Sequence, residues 1–95
     1  MNLEELHQQE KEVSATLLFK GEMGTSTVIR LEEKAILKEH ITKTAALLVC
    51  VSGITTYEDE KGQQITLKQG DYISIEPHVK HWLNATCKSH LILLK

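Results

Sequence analysis

Two stretches decide the fold: Ala45-Ala46-Leu47-Leu48-Val49-Cys50-Val51-Ser52-Gly53 and, seventeen residues beyond that glycine, Gly70-Asp71-Tyr72-Ile73-Ser74-Ile75-Glu76-Pro77-His78-Val79-Lys80-His81-Trp82. The first is an apolar run that does not alternate, too short for a core helix and ended by Ser-Gly, which reads as a strand covered on both faces. The second opens on Gly-Asp, a turn pair, passes through an apolar pair spaced by two, and reverses at Pro77. Both patterns are those of an all-β chain.

Working outward, short β-rich runs separated by turn residues continue from residue 13 to the end, and no segment after it carries a helical period. The sequence predicts strands over 13–19, 25–31, 35–40, 45–51, 54–59, 64–68, 72–75, 81–85 and 90–94, all of ordinary strand length. Gly21, Gly24, Gly53, Gly62, Gly70 and Pro77 punctuate them. The Glu32-Glu33-Lys34 turn has no glycine. Residues 1–12 hold Leu3 and Leu6 among polar neighbours and are expected to form an arm or short helix ahead of a barrel domain over 13–95.

Ninety-five residues suit one domain, with roughly two-thirds of the unfolded surface buried. Eleven Lys and Arg against thirteen Asp and Glu give a charge of -2. With no basic run and few aromatics (Phe19, Tyr57, Tyr72, Trp82), nucleic acid is excluded as a partner. No apolar run can span a bilayer and Met-Asn-Leu-Glu-Glu-Leu lacks signal-peptide character, so no membrane partner and a cytoplasmic address are expected. Cys50 and Cys87 have neither zinc-finger nor redox spacing, and no disulfide is expected between them. The doubly apolar run 45–51 and the final Leu91-Ile92-Leu93-Leu94 need a second cover, for which a homodimer is the economical expectation.

Residues 38–53, Lys38-Glu39-His40-Ile41-Thr42-Lys43-Thr44 and the apolar run to Gly53, resemble the first cupin motif, H-x-H, a few residues, E, six residues, G. Residues 70–82 resemble the second, G-D-x-x-x-I-P-P-G-x-x-H. The resemblance implies a single-domain jelly-roll β-barrel, a double-stranded β-helix, like the short stand-alone cupins. It also implies a metal site of three histidines and one glutamate, whose positions here are His40, Thr42, Ala46 and His81. Two imidazoles survive, a partial site for a divalent Zn, Ni, Fe, Mn or Cu ion, while three protein ligands are the usual minimum for a firmly held catalytic metal. His78 stands where the family has its turn glycine and would be a third ligand only if the turn bent it inward.

Strand parity places Ile36, Lys38, His40 and Thr42 on one face, Ala46, Leu48 and Cys50 on another, and Ile73, Ile75, Val79, His81 and Leu83 on a third. The expected ligand pocket is therefore His40, Thr42, Ala46, Leu48, Cys50, Ile73, His81 and Leu83, with His40 and His81 facing one another and titrating below an exposed His7. The alternative to a site is a pair of satisfied polar residues in a packed interior. His7 and His90 are expected at the surface, Glu58, Asp59 and Glu60 as a solvated cluster at a hairpin tip, Tyr57 and Tyr72 at a pocket rim or barrel end, and Trp82 on the outer face or at an interface. Cys50 has no assured cationic neighbour to activate it and reads as core packing rather than as a nucleophile.

Three functions fit these residues: a non-enzymatic module holding a small organic ligand, with or without a weakly held metal; a small metal-dependent oxygenase or isomerase using His40 and His81; and a structural or regulatory dimer with no ligand. Fold alone does not choose among them.

Overall fold

Two antiparallel sheets face each other across one apolar interior. In a computed structural model, which describes residues 1–95, the strands are β1 (Val13–Lys20), β2 (Thr25–Leu31), β3 (Ile36–His40), β4 (Ala46–Ser52), β5 (Thr55–Asp59), β6 (Gln64–Leu67), β7 (Tyr72–Ile75), β8 (His81–Ala85) and β9 (Ser89–Leu94). One sheet has the order β1-β2-β9-β4-β7 and the other β3-β8-β5-β6. Every strand read from the sequence is present, with ends moved by a residue at most. No helix is long and apolar enough to cross a membrane.

The core joins Ile29 and Leu31 of β2, Ala46, Leu48 and Cys50 of β4, Ile73 and Ile75 of β7 and Leu91 and Leu93 of β9 to Tyr57, Leu67, Leu83 and Ala85 of the facing sheet. Alternation explains why: these are the inward positions of each pleat. In β4 the other parity, Leu47, Val49 and Val51, lies half-buried on the outer face.

One strand departs from simple parity. Opposite β8, Leu37 pairs with Leu83 but His40 pairs with His81, so three steps on β3 match two on β8. The extra residue is a β-bulge, and it turns both Leu37 and His40 inward. Ile36, expected on the face of His40, instead stands opposite the outward Asn84 and is 56% exposed.

The N-terminal residues form a short 3-10 turn, Leu3–Leu6, docked on the outer face of the five-stranded sheet. Arg30 of β2 is the anchor. It is 1% exposed, and its guanidinium donates to Glu4 Oε1 at 2.9 Å, to the Gln8 carbonyl and to the Lys11 carbonyl at 2.9 Å. A buried guanidinium needs its charge and donors matched, and the arm supplies partners for both terminal nitrogens while Nε is left without one. Glu4 also accepts from Lys88 at 3.0 Å and pairs with His90 Nε2 at 2.7 Å.

The arm corrects the expectation that His7 and His90 are surface residues. His7 is 7% exposed, with Nδ1 2.7 Å from Ser14 Oγ, and His90 is half-buried between Glu4 and Ser52. The acidic hairpin tip is also less open than its composition suggests. Asp59 is buried, accepting from the Lys61 and Gln63 amides and the Tyr57 hydroxyl, and Glu58 accepts from Trp82 Nε1 at 2.7 Å. Of the three acids only Glu60 is exposed, and it accepts from the Lys80 amide.

Reversals at Gly53, Gly62 and Gly70 have φ of 86°, 86° and 89°. The glycine-free turn adopts the same region at Lys34, with φ 66°. A Cβ on Gly53 would land on the Lys88 carbonyl and the Ser89 side chain, whereas one on Gly70 would meet nothing. Gly70→Ala should therefore cost about 1 kcal/mol from φ alone, and Gly53→Ala severalfold more. Denaturant melts ranking the two variants equally would contradict this.

Candidate functional site

His40 and His81 are direct cross-strand partners on β3 and β8. Their rings stand 4.1 Å apart between centroids at 62°. Each Nδ1 lies 3.0 Å from a backbone carbonyl two residues earlier, that of Lys38 for His40 and that of Val79 for His81. A carbonyl can only accept, so in the neutral rings Nδ1 carries the proton and Nε2 presents a lone pair. His81 Nε2 is buried with no partner, as is Thr42 Oγ1. Tyr57, on β5, stacks on His81 at 5.8 Å.

Burial is the main cause that pushes the His81 imidazole below its ordinary value of 6.5, and the nearby His40 adds to the fall while the Val79 carbonyl opposes it. Burial likewise lowers His7, with Arg30 and His90 contributing, so His7 is not the solvent-like reference expected of it. Tyr57 is pushed up to about 12 by burial and by its bond to Asp59, and stays protonated at any physiological pH.

The remaining expected site residues fall in two places. Thr42 is buried beside the turn that contains His78, whose backbone N–H donates to the Thr42 carbonyl at 2.8 Å. His78 itself has φ 65° and an exposed side chain. It therefore fills the glycine position of the turn as a left-handed residue. Ala46, Leu48, Cys50, Ile73 and Leu83 pack into the core, and burial raises the Cys50 thiol above its ordinary 9.0, away from nucleophile chemistry. No group of three His, Cys, Asp or Glu side chains converges anywhere. Two imidazoles and a neutral hydroxyl do not fit a firmly held metal.

Open space lies elsewhere, in a groove that reaches the surface. Between the β1-β2-β9 side of the large sheet and β3 is a pocket of about 520 Å³ lined by Val13, Ala15, Thr27, Ile29, Ile36, Leu37, Lys38, His40, Leu93 and Lys95. Of the pocket residues expected from the motifs, only His40 borders it. Parity on β2 and β9 was the available signal for Thr27, Ile29, Leu93 and Lys95, since they continue the inward series of Leu31 and Leu91.

The cupin-domain family pattern matches residues 27–94. This chain belongs to the cupin family. Similar solved structures include a cupin superfamily protein of Desulfitobacterium hafniense, at 13% identity and TM-score 0.84, covering 98% of this chain and 84% of that one. KdgF of a Halomonas species matches at 20% identity and TM-score 0.82, over 99% of this chain and 87% of that one. A conserved Klebsiella pneumoniae protein with a double-stranded β-helix domain matches at 14% identity and TM-score 0.84, over 99% and 85%. At such identities the likeness is one of fold. No curated protein matches the sequence.

Acid should weaken this cupin in two stages. His7 and His81 have folded values below their unfolded 6.5, so the unfolded chain binds protons first and stability falls as pH drops below 6.5. Glu4, held at about 2 by His90 and Lys88 against an ordinary 4.5, contributes stability above 4.5 that disappears as pH falls toward 2. Denaturation midpoints and NMR titration of the imidazoles should show both stages, and His40→Gln should raise the His81 value by removing a neighbouring charge. An unchanged His81 titration in that variant would show that the two rings are independent.

Proposed function

We propose that this cupin is a binding module that takes a small organic ligand into the open end of its barrel, without chemistry of its own. The observation that carries the reading is the apolar pocket of about 520 Å³ reached past His40, a size typical of small-molecule sites, in a chain that brings together too few donors for a catalytic metal. His40, which borders the pocket, then serves as its polar anchor: its freed Nε2 lone pair accepts from a donor, or the ring gives a proton when charged. The metal-dependent enzyme is the second reading, favoured by the partnerless His81 Nε2.

The test is NMR titration with 1-octanol as a neutral probe and, separately, with zinc. Octanol should perturb Val13, Ala15, Ile29, Leu37 and Leu93, and Ala15→Phe, at an exposed position on edge strand β1, should fill the pocket and abolish the response. Zinc held stoichiometrically by His40 and His81 through extensive dialysis would replace this reading with the second.

The homodimer belongs to the same proposal. Leu47, Val49, Val51 and Ile92 are half-buried on the outer face of β4 and β9, flanked by Tyr72 and Leu94 at 67% and 40% exposure. Light scattering should give twice the chain mass, and Leu47→Glu should halve it, because desolvating an unpaired charge costs several kcal/mol, on the order of what the apolar contact returns. A monomer mass for the natural chain would remove the dimer.

A further inference from the structure

The charged residues of the barrel mouth are all of one sign. Its lining includes two lysines, Lys38 and Lys95, one imidazole, His40, and one hydroxyl, Thr27, and it contains no aspartate or glutamate. This is unusual for a chain whose overall charge is -2. Neither lysine forms a salt bridge with an Asp or Glu side chain, although Lys61 and Lys88 each do. Below them the lining is apolar, with Val13 and Ala15 of β1, Ile29 of β2, Leu37 of β3 and Leu93 of β9.

Resting on the reading of this pocket as a ligand site, we infer that its ligand is an amphipathic anion, a small carboxylate with an aliphatic body, held head outward. The body lies on the Ile29, Leu37 and Leu93 floor, where burial of each methylene tightens binding. The head sits at the mouth between Lys38 and Lys95, with His40 within the same lining. A neutral alcohol of equal length gains the floor but not the head contact. An amine of equal length meets like charge, which disfavours it. Lys95 also lies near enough to His81 to help lower its pKa, which is consistent with a positive potential reaching inward from the mouth. An anion seated there offsets that potential rather than adding to it. The lysines are exposed, so their attraction is screened by salt and modest per pair.

The experiment compares octanoate, 1-octanol and octylamine by calorimetric titration into the full chain at low and high salt. Octanoate should bind about fivefold to tenfold tighter than octanol at low salt, as two modest charge pairs allow, and octylamine weakest of the three. High salt should erase most of the octanoate advantage and leave octanol unchanged. The charge-reversed chain K38E/K95E, altered at two exposed positions and checked by its thermal melt, should prefer octylamine. Equal binding of octanoate and octanol, or an order unmoved by the charge reversal, overturns the anion inference while the barrel site stands. If none of the three binds, or Ala15→Phe leaves all three bound, the barrel site itself is lost and the inference with it.

Discussion

The pairing of β3 with β8 is the constraint on which the interior depends. β3 is an edge strand, held by β8 alone within its sheet, and it closes the barrel against β1, β2 and β9 only as far as its side chains reach. The bulge between Leu37 and His40 spends one residue to turn both inward. Leu37 then meets Leu83 and the core, while His40 meets His81. Without the bulge one of the two would face solvent, and the barrel would lose either its apolar seal or its imidazole pair. The far side, where β4 and β7 face β8 and β5, is filled by Leu48, Cys50, Ile73, Tyr57 and Leu83. The open volume that His40 borders is the one that has β3 as a wall, and a smaller one of about 190 Å³ lies beside Tyr57, Asp59 and Ser74.

That asymmetry explains which parts of the site were legible from residues alone. Strands, reversals and the inward positions of β4, β7 and β8 follow from alternation and turn chemistry, which are local. His40 and His81 could be matched across forty-one residues because each sits at the inward ligand position of its motif. The bulge has no such signal: Ile36, Lys38 and His40 alternate cleanly in sequence, and only the register against β8 shows that the alternation breaks. The expected pocket was drawn from motif positions, but Leu48, Cys50, Ile73 and Leu83 satisfy one another, and space collects where small or polar inward residues, Ala15 and Thr27, face the end of β3.

Burial of His7 and His90 was illegible for a different reason. Nothing in the composition of residues 1–12 announces that they cover a sheet, and the cause lies in Arg30, an arginine at an outward position of a central strand. Outward residues of a one-sided sheet meet water at little cost, but Arg30 is flanked by Val28 at 0% exposure and Ser14 at 6%. Once the arm lies over these, the guanidinium must find acceptors within the protein, and Glu4 with the Gln8 and Lys11 carbonyls are those within reach. Glu4 then becomes the shared counter-ion of Arg30, Lys88 and His90. Loss of its charge would leave a buried cation unmatched, which costs far more than a surface ion pair contributes.

The two histidine pairs show how the same residue type takes different roles from its surroundings. His90 touches a carboxylate, so a proton on it is matched by Glu4. His81 has a carbonyl and two rings beside it and Asp59 as its cross-strand partner on β5, but its Nε2 makes no hydrogen bond. A buried acceptor without a donor carries a desolvation cost of about 1–3 kcal/mol. Apolar packing could have removed that cost by substitution of the ring, as it does at Leu83 two residues on. His81 Nε2 shares that state with Thr42 Oγ1 and Thr55 Oγ1, so the barrel interior keeps unused hydrogen-bonding capacity beside a second imidazole that borders open volume.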